Sequence, residues 1–184
     1  MKYLYILSLI FFPLVIFPQS LPIFLDGRFD DWNVTVPTYY DSENDGNVYD
    51  FKYISVTNDE QFLFIRLKIT PFLKLLEDNQ LSIFIDGDNN ISTGHQINGI
   101  GAEIQFNFGT ASGYNYYTSS SITHSSIQFR SLPTVTDTVY EIAIGRQYIP
   151  PVGNVWLFVF NSCGKLLRAY RYPKAGSSQK LRIR

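Results

Sequence analysis

Between Phe51 and Phe160 the sequence is cut into apolar runs of five to eight residues, separated by Gly, Asn, Asp, Pro and Ser. The runs are Phe51–Val56, Phe62–Ile69, Leu81–Ile85, Ala102–Phe108, Ile122–Phe129, Thr138–Ile144 and Val155–Phe160. They are rich in β-branched and aromatic side chains, which fit the pleated surface of a strand better than the crowded turn of a helix. Several alternate with a period of two. Leu63, Ile65, Leu67 and Ile69 share one face against Phe62, Phe64 and Arg66, and Ile104, Phe106 and Phe108 alternate with Glu103, Gln105 and Asn107. A two-residue period places one face of each run in a core and the other in water. The pattern predicts an all-β fold, an antiparallel β-sandwich. Helical spacing occurs in Pro71–Asn79, where Phe72, Leu75 and Leu76 would share a side, so one short helix is expected there. Residues 37–50 and 109–126 read as loops.

Chain length supports the same architecture. The 184 residues suit one domain of ordinary size, and no internal repeat or low-complexity linker divides them. Fourteen of the first 20 residues are hydrophobic, with Lys2 before an apolar stretch from Leu4 to Phe17. That stretch is short for a bilayer span and matches a secretory signal, with an uncleaved anchor as the alternative. The expected organisation is a signal peptide at 1–20 and a single domain at 21–184, secreted, periplasmic or extracellular, with no membrane span in the mature form.

Several chemistries are excluded early. One Cys rules out a disulfide framework and a Cys-cluster zinc site. His95 and His124 have no metal-ligand spacing with each other or with Cys163. No G-x-S-x-G elbow or P-loop is present. A net charge of −1 gives no global attraction to nucleic acid. That balance hides two opposed regions, because residues 21–60 hold nine acids and two bases while residues 142–184 hold eight bases and no acid. The simplest explanation is that terminal strands lie side by side with paired surface charges. The sharper readings are an acidic cation site in the first region and a basic contact surface for acidic glycans or envelope polymers in the second.

Two acidic segments stand out. Leu25-Asp26-Gly27-Arg28-Phe29-Asp30-Asp31-Trp32 crowds three carboxylates around a glycine. Such crowding needs a cation or several N–H donors to offset repulsion, unless the side chains are simply solvated in an Asx turn. The run Asp86-Gly87-Asp88-Asn89-Asn90-Ile91-Ser92-Thr93-Gly94 ends a strand with oxygen ligands at alternating positions, as Ca²⁺ accepts. It fails as an EF-hand, since the sixth loop position is Ile91 and the twelfth is Ile97. Another kind of calcium loop and a plain turn both remain open. Glu103 begins the next strand and is placed to reach back to that loop. For ligand binding, Tyr114, Tyr116 and Tyr117 lie in a Gly/Ser-rich stretch, where they could stack on sugar rings or pack on the sandwich edge. Carboxylate pairs are frequent, but none is singled out for glycoside hydrolysis, so no enzyme activity is assigned.

Taken in order, Asp26-Gly27 to Asp31-Trp32, Asp50-Phe51 with Val56-Thr57-Asn58-Asp59 and Leu63, Ile85 to Gly94, and Gly99 to Glu103 resemble the family 9 carbohydrate-binding modules. More broadly the chain is similar to DOMON-type sandwiches of secreted bacterial proteins. The likeness runs from about Leu25 to Ile149. It implies a jelly-roll sandwich with structural calcium and a carbohydrate partner, without catalysis. Its calcium region maps onto Asp26, Asp30, Asp86, Asp88 and Glu103. The family's sugar site is a pair of tryptophans, but only Trp32 and Trp156 exist here, and Trp32 belongs to the first motif. Some DOMON relatives bind haem through Met, and Met1 is the sole Met, so haem is not expected.

Overall fold

The computed structural model describes residues 23–32, 36, 38–42, 49–77, 79–128, 130 and 138–149, together with the backbone of 131–132, 137, 156–160 and 166–169. The expected signal segment, Cys163 and most of the basic C-terminal stretch lie outside the described residues. Trp156 is described as backbone only.

Thirteen strands are found among the described residues. They are β1 (Thr38–Tyr40), β2 (Asp50–Asn58), β3 (Phe62–Leu73), β4 (Ser82–Asp86), β5 (His95–Ile97), β6 (Ile100–Ala102) and β7 (Ile104–Asn107). Then follow β8 (Ser112–Asn115), β9 (Ser120–Thr123), β10 (Arg130–Leu132), β11 (Asp137–Gly145), β12 (Trp156–Phe160) and β13 (Leu166–Ala169), with a single 3-10 turn at Arg146–Tyr148. One sheet has the order β1-β2-β3-β11-β10, a second β13-β12-β4-β7-β8-β9, and β5-β6 is a separate hairpin. All pairings are antiparallel.

The core lies between the two large sheets, built from the faces that alternation assigns to it. Leu63, Ile65, Leu67 and Ile69 of β3 and Ile142 and Ile144 of β11 meet Ile83 and Ile85 of β4 and Ile104 and Phe106 of β7, each at most 2% exposed. Full burial of such side chains contributes about 1.5–3 kcal/mol each before the entropy of ordering is counted.

The opposite face of the first sheet is also covered, which the alternation did not predict. Phe64 and Arg66 are buried because the segment from Ile23 to Trp32 folds across them, with Trp32, Phe64, Ile23 and Ala143 in one apolar cluster. The Arg66 guanidinium lies 5.5 Å from the centre of the Trp32 ring.

Three further expectations are corrected. No helix forms over 71–77. β3 continues through Leu73 and is followed by a turn, so Leu73 and Leu75 are buried while Phe72 and Leu76 are exposed. The two-residue period wins because tertiary groups hold it. The Tyr140 hydroxyl donates to the Leu73 carbonyl and accepts from its amide. The Asn79 amide donates to the carbonyls of Lys74, Leu75 and Glu77. The stretch 109–126 is not a loop either, since it contains β8 and β9. The expected strand Ile122–Phe129 stops at Thr123, where Ser126 donates to the Thr123 carbonyl and turns the chain.

Candidate functional site

The register of two central strands creates the acidic site. β4 and β7 pair with Ile85 opposite Ile104, and the Glu103 amide donates to the Ile85 carbonyl at 2.9 Å. The residues one step further out, Asp86 and Glu103, therefore face each other at the sheet's end. The loop after Asp86 curls back and adds Asp88. Oxygens of Asp86, Asp88 and Glu103 all lie within 4.8 Å of one another. Two oxygens bound to one Ca²⁺ at about 2.4 Å can be at most about 4.8 Å apart, so this spacing suits a single ion.

Backbone groups fix the loop. Asp86 accepts from the Asn89 amide at 2.6 Å, and Asp88 accepts from the Asn90 amide at 2.9 Å. The Thr93 hydroxyl contacts Asp88 at 2.9 and 3.0 Å and the Asn90 carbonyl at 2.8 Å. Asn98 and Gly99, both at positive φ, make the tight turn between β5 and β6 and fold this hairpin over the loop. Gly101 on β6 sits where a Cβ would strike the carbonyls of Thr93 and Asn90, so only glycine permits that approach.

Asp86 and Glu103 are each 2% exposed. Burial pushes the Asp86 carboxyl above its ordinary value, Asp88 adds to the rise, and the amides of Asn89, Asp88 and Gly101 draw it back. Burial likewise raises Glu103, with Asp88 and Asp86 adding, while the Gly87 amide and the nearby Thr93 hydroxyl oppose. The Gly87 amide donates to Glu103 Oε2 at 2.7 Å. The other oxygen, Oε1, is buried and has no hydrogen-bond partner at normal distance, while the Thr93 hydroxyl lies in contact with Asp88 and the Asn90 carbonyl. An orphaned carboxylate oxygen costs about 1–3 kcal/mol or more unless something else satisfies it. Like charges at this spacing would each cost roughly 3 kcal/mol at an effective dielectric near 20. Among the described residues, no Lys or Arg makes an ion pair with these three. A hard divalent cation bound to all three would answer both penalties.

Asp26 and Asp30 do not join this group. Their turn is folded against the first sheet around Glu141 of β11, a residue the sequence reading passed over. Glu141 is fully buried and accepts from the amides of Asp26 (3.2 Å) and Gly27 (2.8 Å) and from Trp32 Nε1 (2.8 Å). Burial raises its pKa, opposed by the Gly27 amide and the Trp32 indole, with Asp31 and Asp26 adding to the rise. The Asp26 side chain accepts from the Arg28 amide, and the Asp30 carboxylate is 81% exposed beside Arg28. The glycine and tryptophan of this motif thus serve a buried carboxylate as N–H donors. A lone acid inside an apolar strand, Tyr140-Glu141-Ile142, was the available signal.

The three tyrosines divide between two places. Tyr116 stacks on His95, which stacks on the buried Phe84, with centroids 5.4 and 6.0 Å apart. Tyr114 meets Tyr116 edge-on at 4.8 Å, and the Tyr116 hydroxyl donates to Gln105 Oε1. This ladder covers the outer face of the second sheet next to the acidic loop. Tyr117 points elsewhere, is 66% exposed, and lines a cleft of about 330 Å³ between the β8–β9 turn and the 3-10 turn. Comparison with family models, with curated proteins and with solved structures gives no match to this chain.

Proposed function

We propose that this chain is a secreted, non-catalytic, carbohydrate-binding β-sandwich stabilised by calcium at Asp86, Asp88 and Glu103. The observation that carries the calcium reading is the buried, unbonded Oε1 of Glu103 within 4.8 Å of the two aspartates' oxygens. All three ligands are hard oxygens on a loop that can adjust its geometry, which suits Ca²⁺ better than the stricter octahedron of Mg²⁺. Carbonyls and water would complete the six to eight oxygens that Ca²⁺ takes. Support for the carbohydrate partner is the motif likeness to the family 9 modules, together with exposed tyrosine beside uncharged polar groups.

The ion's role in this reading is structural. It ties the end of β4 to the start of β7, which are neighbours in the sheet that carries the tyrosines. Calorimetric titration of chelator-treated protein with CaCl₂, followed by affinity electrophoresis through neutral polysaccharides with calcium or EDTA, tests it. One saturable site and retardation in calcium are expected. Absence of heat and of retardation would refute it.

A second reading is a structural or adaptor role at the cell envelope through the basic C-terminal region. What favours it is the run of eight bases without an acid over 142–184. Salt-sensitive capture of an anionic envelope polymer, without binding to neutral glycans, would select it.

A further inference from the structure

The cleft beside Tyr117 has a construction that the acidic loop and the aromatic ladder do not explain. Its floor is held by Asn115, which is 2% exposed. Asn115 Oδ1 accepts from the amides of Tyr117 (2.9 Å) and Thr118 (3.1 Å), while its Nδ2 donates to the Tyr148 carbonyl (3.2 Å). One buried amide thereby joins the β8–β9 turn to the 3-10 turn and fixes the two cleft walls relative to each other. The lining is aromatic and neutral. Tyr117 and the half-buried Tyr148 line it, with the exposed Ser120, Ser121 and Gln147 beside them, while the Ser126 hydroxyl at its edge is bonded to Thr123. Among the described residues, no Asp, Glu, Lys or Arg lines it.

We infer that this cleft, rather than the Tyr114–Tyr116 ladder, binds an uncharged polysaccharide segment. The inference rests on the carbohydrate reading above and adds the place and the charge class of the ligand. Sugar rings offer apolar C–H faces and a rim of hydroxyls, which match tyrosines flanked by small hydroxyls and an amide. An acidic sugar would meet no cation in this lining, and its carboxylate would lose hydration without compensation. The cleft volume sits at the lower end of ligand pockets, which span about 300–1,000 Å³, so a short stretch of a chain fits rather than an extended one. Tyr114 and Tyr116 are already occupied by ring contacts, and Tyr116 also by its bond to Gln105.

The test is affinity electrophoresis of the full chain in millimolar CaCl₂, through gels containing neutral xylan, β-glucan, mannan or dextran, or acidic polygalacturonate or alginate. Tyr117→Ala and Gln147→Ala are compared with the unaltered protein and with Tyr40→Ala, an exposed tyrosine on β1 of the other sheet. Melting temperatures verify that all variants fold. The expected result is retardation by at least one neutral polymer, weakened roughly tenfold or more by either cleft substitution and unchanged in Tyr40→Ala. Equal retardation of the cleft variants would overturn the site and leave the carbohydrate reading intact. Retardation by acidic polymers alone would overturn the charge class. Lack of retardation by any polymer would overturn the carbohydrate reading and this inference with it.

Discussion

The amide of Tyr116 donates to the carbonyl of Glu103 across 2.7 Å. The residue whose side chain closes the acidic group therefore also anchors, through its backbone, the turn that carries Tyr117. An ion that immobilises Glu103 stiffens the same β7–β8 ladder, where Ile104 faces Asn115. Chelation is predicted to loosen residues 115–118, read as faster amide exchange in EDTA than in calcium. Neutral-glycan affinity is predicted to fall with it, by about fivefold or more, the lower end of typical coupling between sites. Unchanged exchange at these amides would separate the two sites.

Acid is predicted to stabilise the calcium-free protein. Asp86, Glu103 and Glu141 all have carboxyls raised by burial, so the folded state binds protons that the unfolded chain has already released. Stability therefore rises as pH falls from neutrality through the raised values, is fully gained only below the ordinary values of 4.5 for the two glutamates and 3.8 for Asp86, and is lost again as pH climbs. In saturating calcium the slope flattens or reverses, because protons compete with the ion for the same oxygens. Melting curves from neutral pH towards 5, with and without calcium, measure both slopes. The Glu103→Gln variant should show a shallower slope without calcium.

The turn around Glu141 is predicted to be a stability element that calcium does not affect. Trp32→Phe removes one of three N–H donors from a fully buried carboxylate and shrinks a fully buried ring. A loss of about 2 kcal/mol or more is expected from the charged hydrogen bond alone. Glu141→Gln keeps the shape but offers one acceptor oxygen to donors that now use two, so it is also predicted to destabilise. Urea unfolding in calcium and in EDTA should show the same loss in both.

Gly101→Ala isolates the loop from its carboxylates. The added Cβ would press on the carbonyls of Thr93 and Asn90, so the β5–β6 hairpin must lift from the loop. Calcium affinity is predicted to fall by about tenfold or more although no ligand has changed. Calorimetric titration checks this, and wild-type affinity in the variant would show that the hairpin does not shape the loop.

Much of the fold was legible because the core obeys a two-residue period with little interruption. Leu63, Ile65 and Leu67 announce their strand without help from neighbours. The 71–77 segment was misread because Phe72, Leu75 and Leu76 imitate a helical face, whereas Tyr140 and Asn79, distant or polar, decide the backbone there. The pairing of Asp86 with Glu103 was visible as a strand end followed by a returning strand start. Glu141 was only half legible, because a lone acid in an apolar run marks the position without telling whether water or N–H groups will meet it. The covering of Phe64 and Arg66 by Trp32 is long-range, and alternation on β3 alone cannot reveal what packs on its second face.

Binding of one calcium ion by Asp86, Asp88 and Glu103 is the proposal on which the calcium-dependent predictions rest. Its most direct test is the melting temperature of chelator-treated protein titrated with CaCl₂, run in parallel with Glu103→Gln. Binding to the folded state alone adds about 2.7 kcal/mol at a calcium concentration one hundred times the dissociation constant, which corresponds to several degrees for a chain of this size. A saturable upward shift in the wild type, abolished in Glu103→Gln, is the predicted result. Superimposable wild-type melting curves with and without millimolar calcium would contradict it.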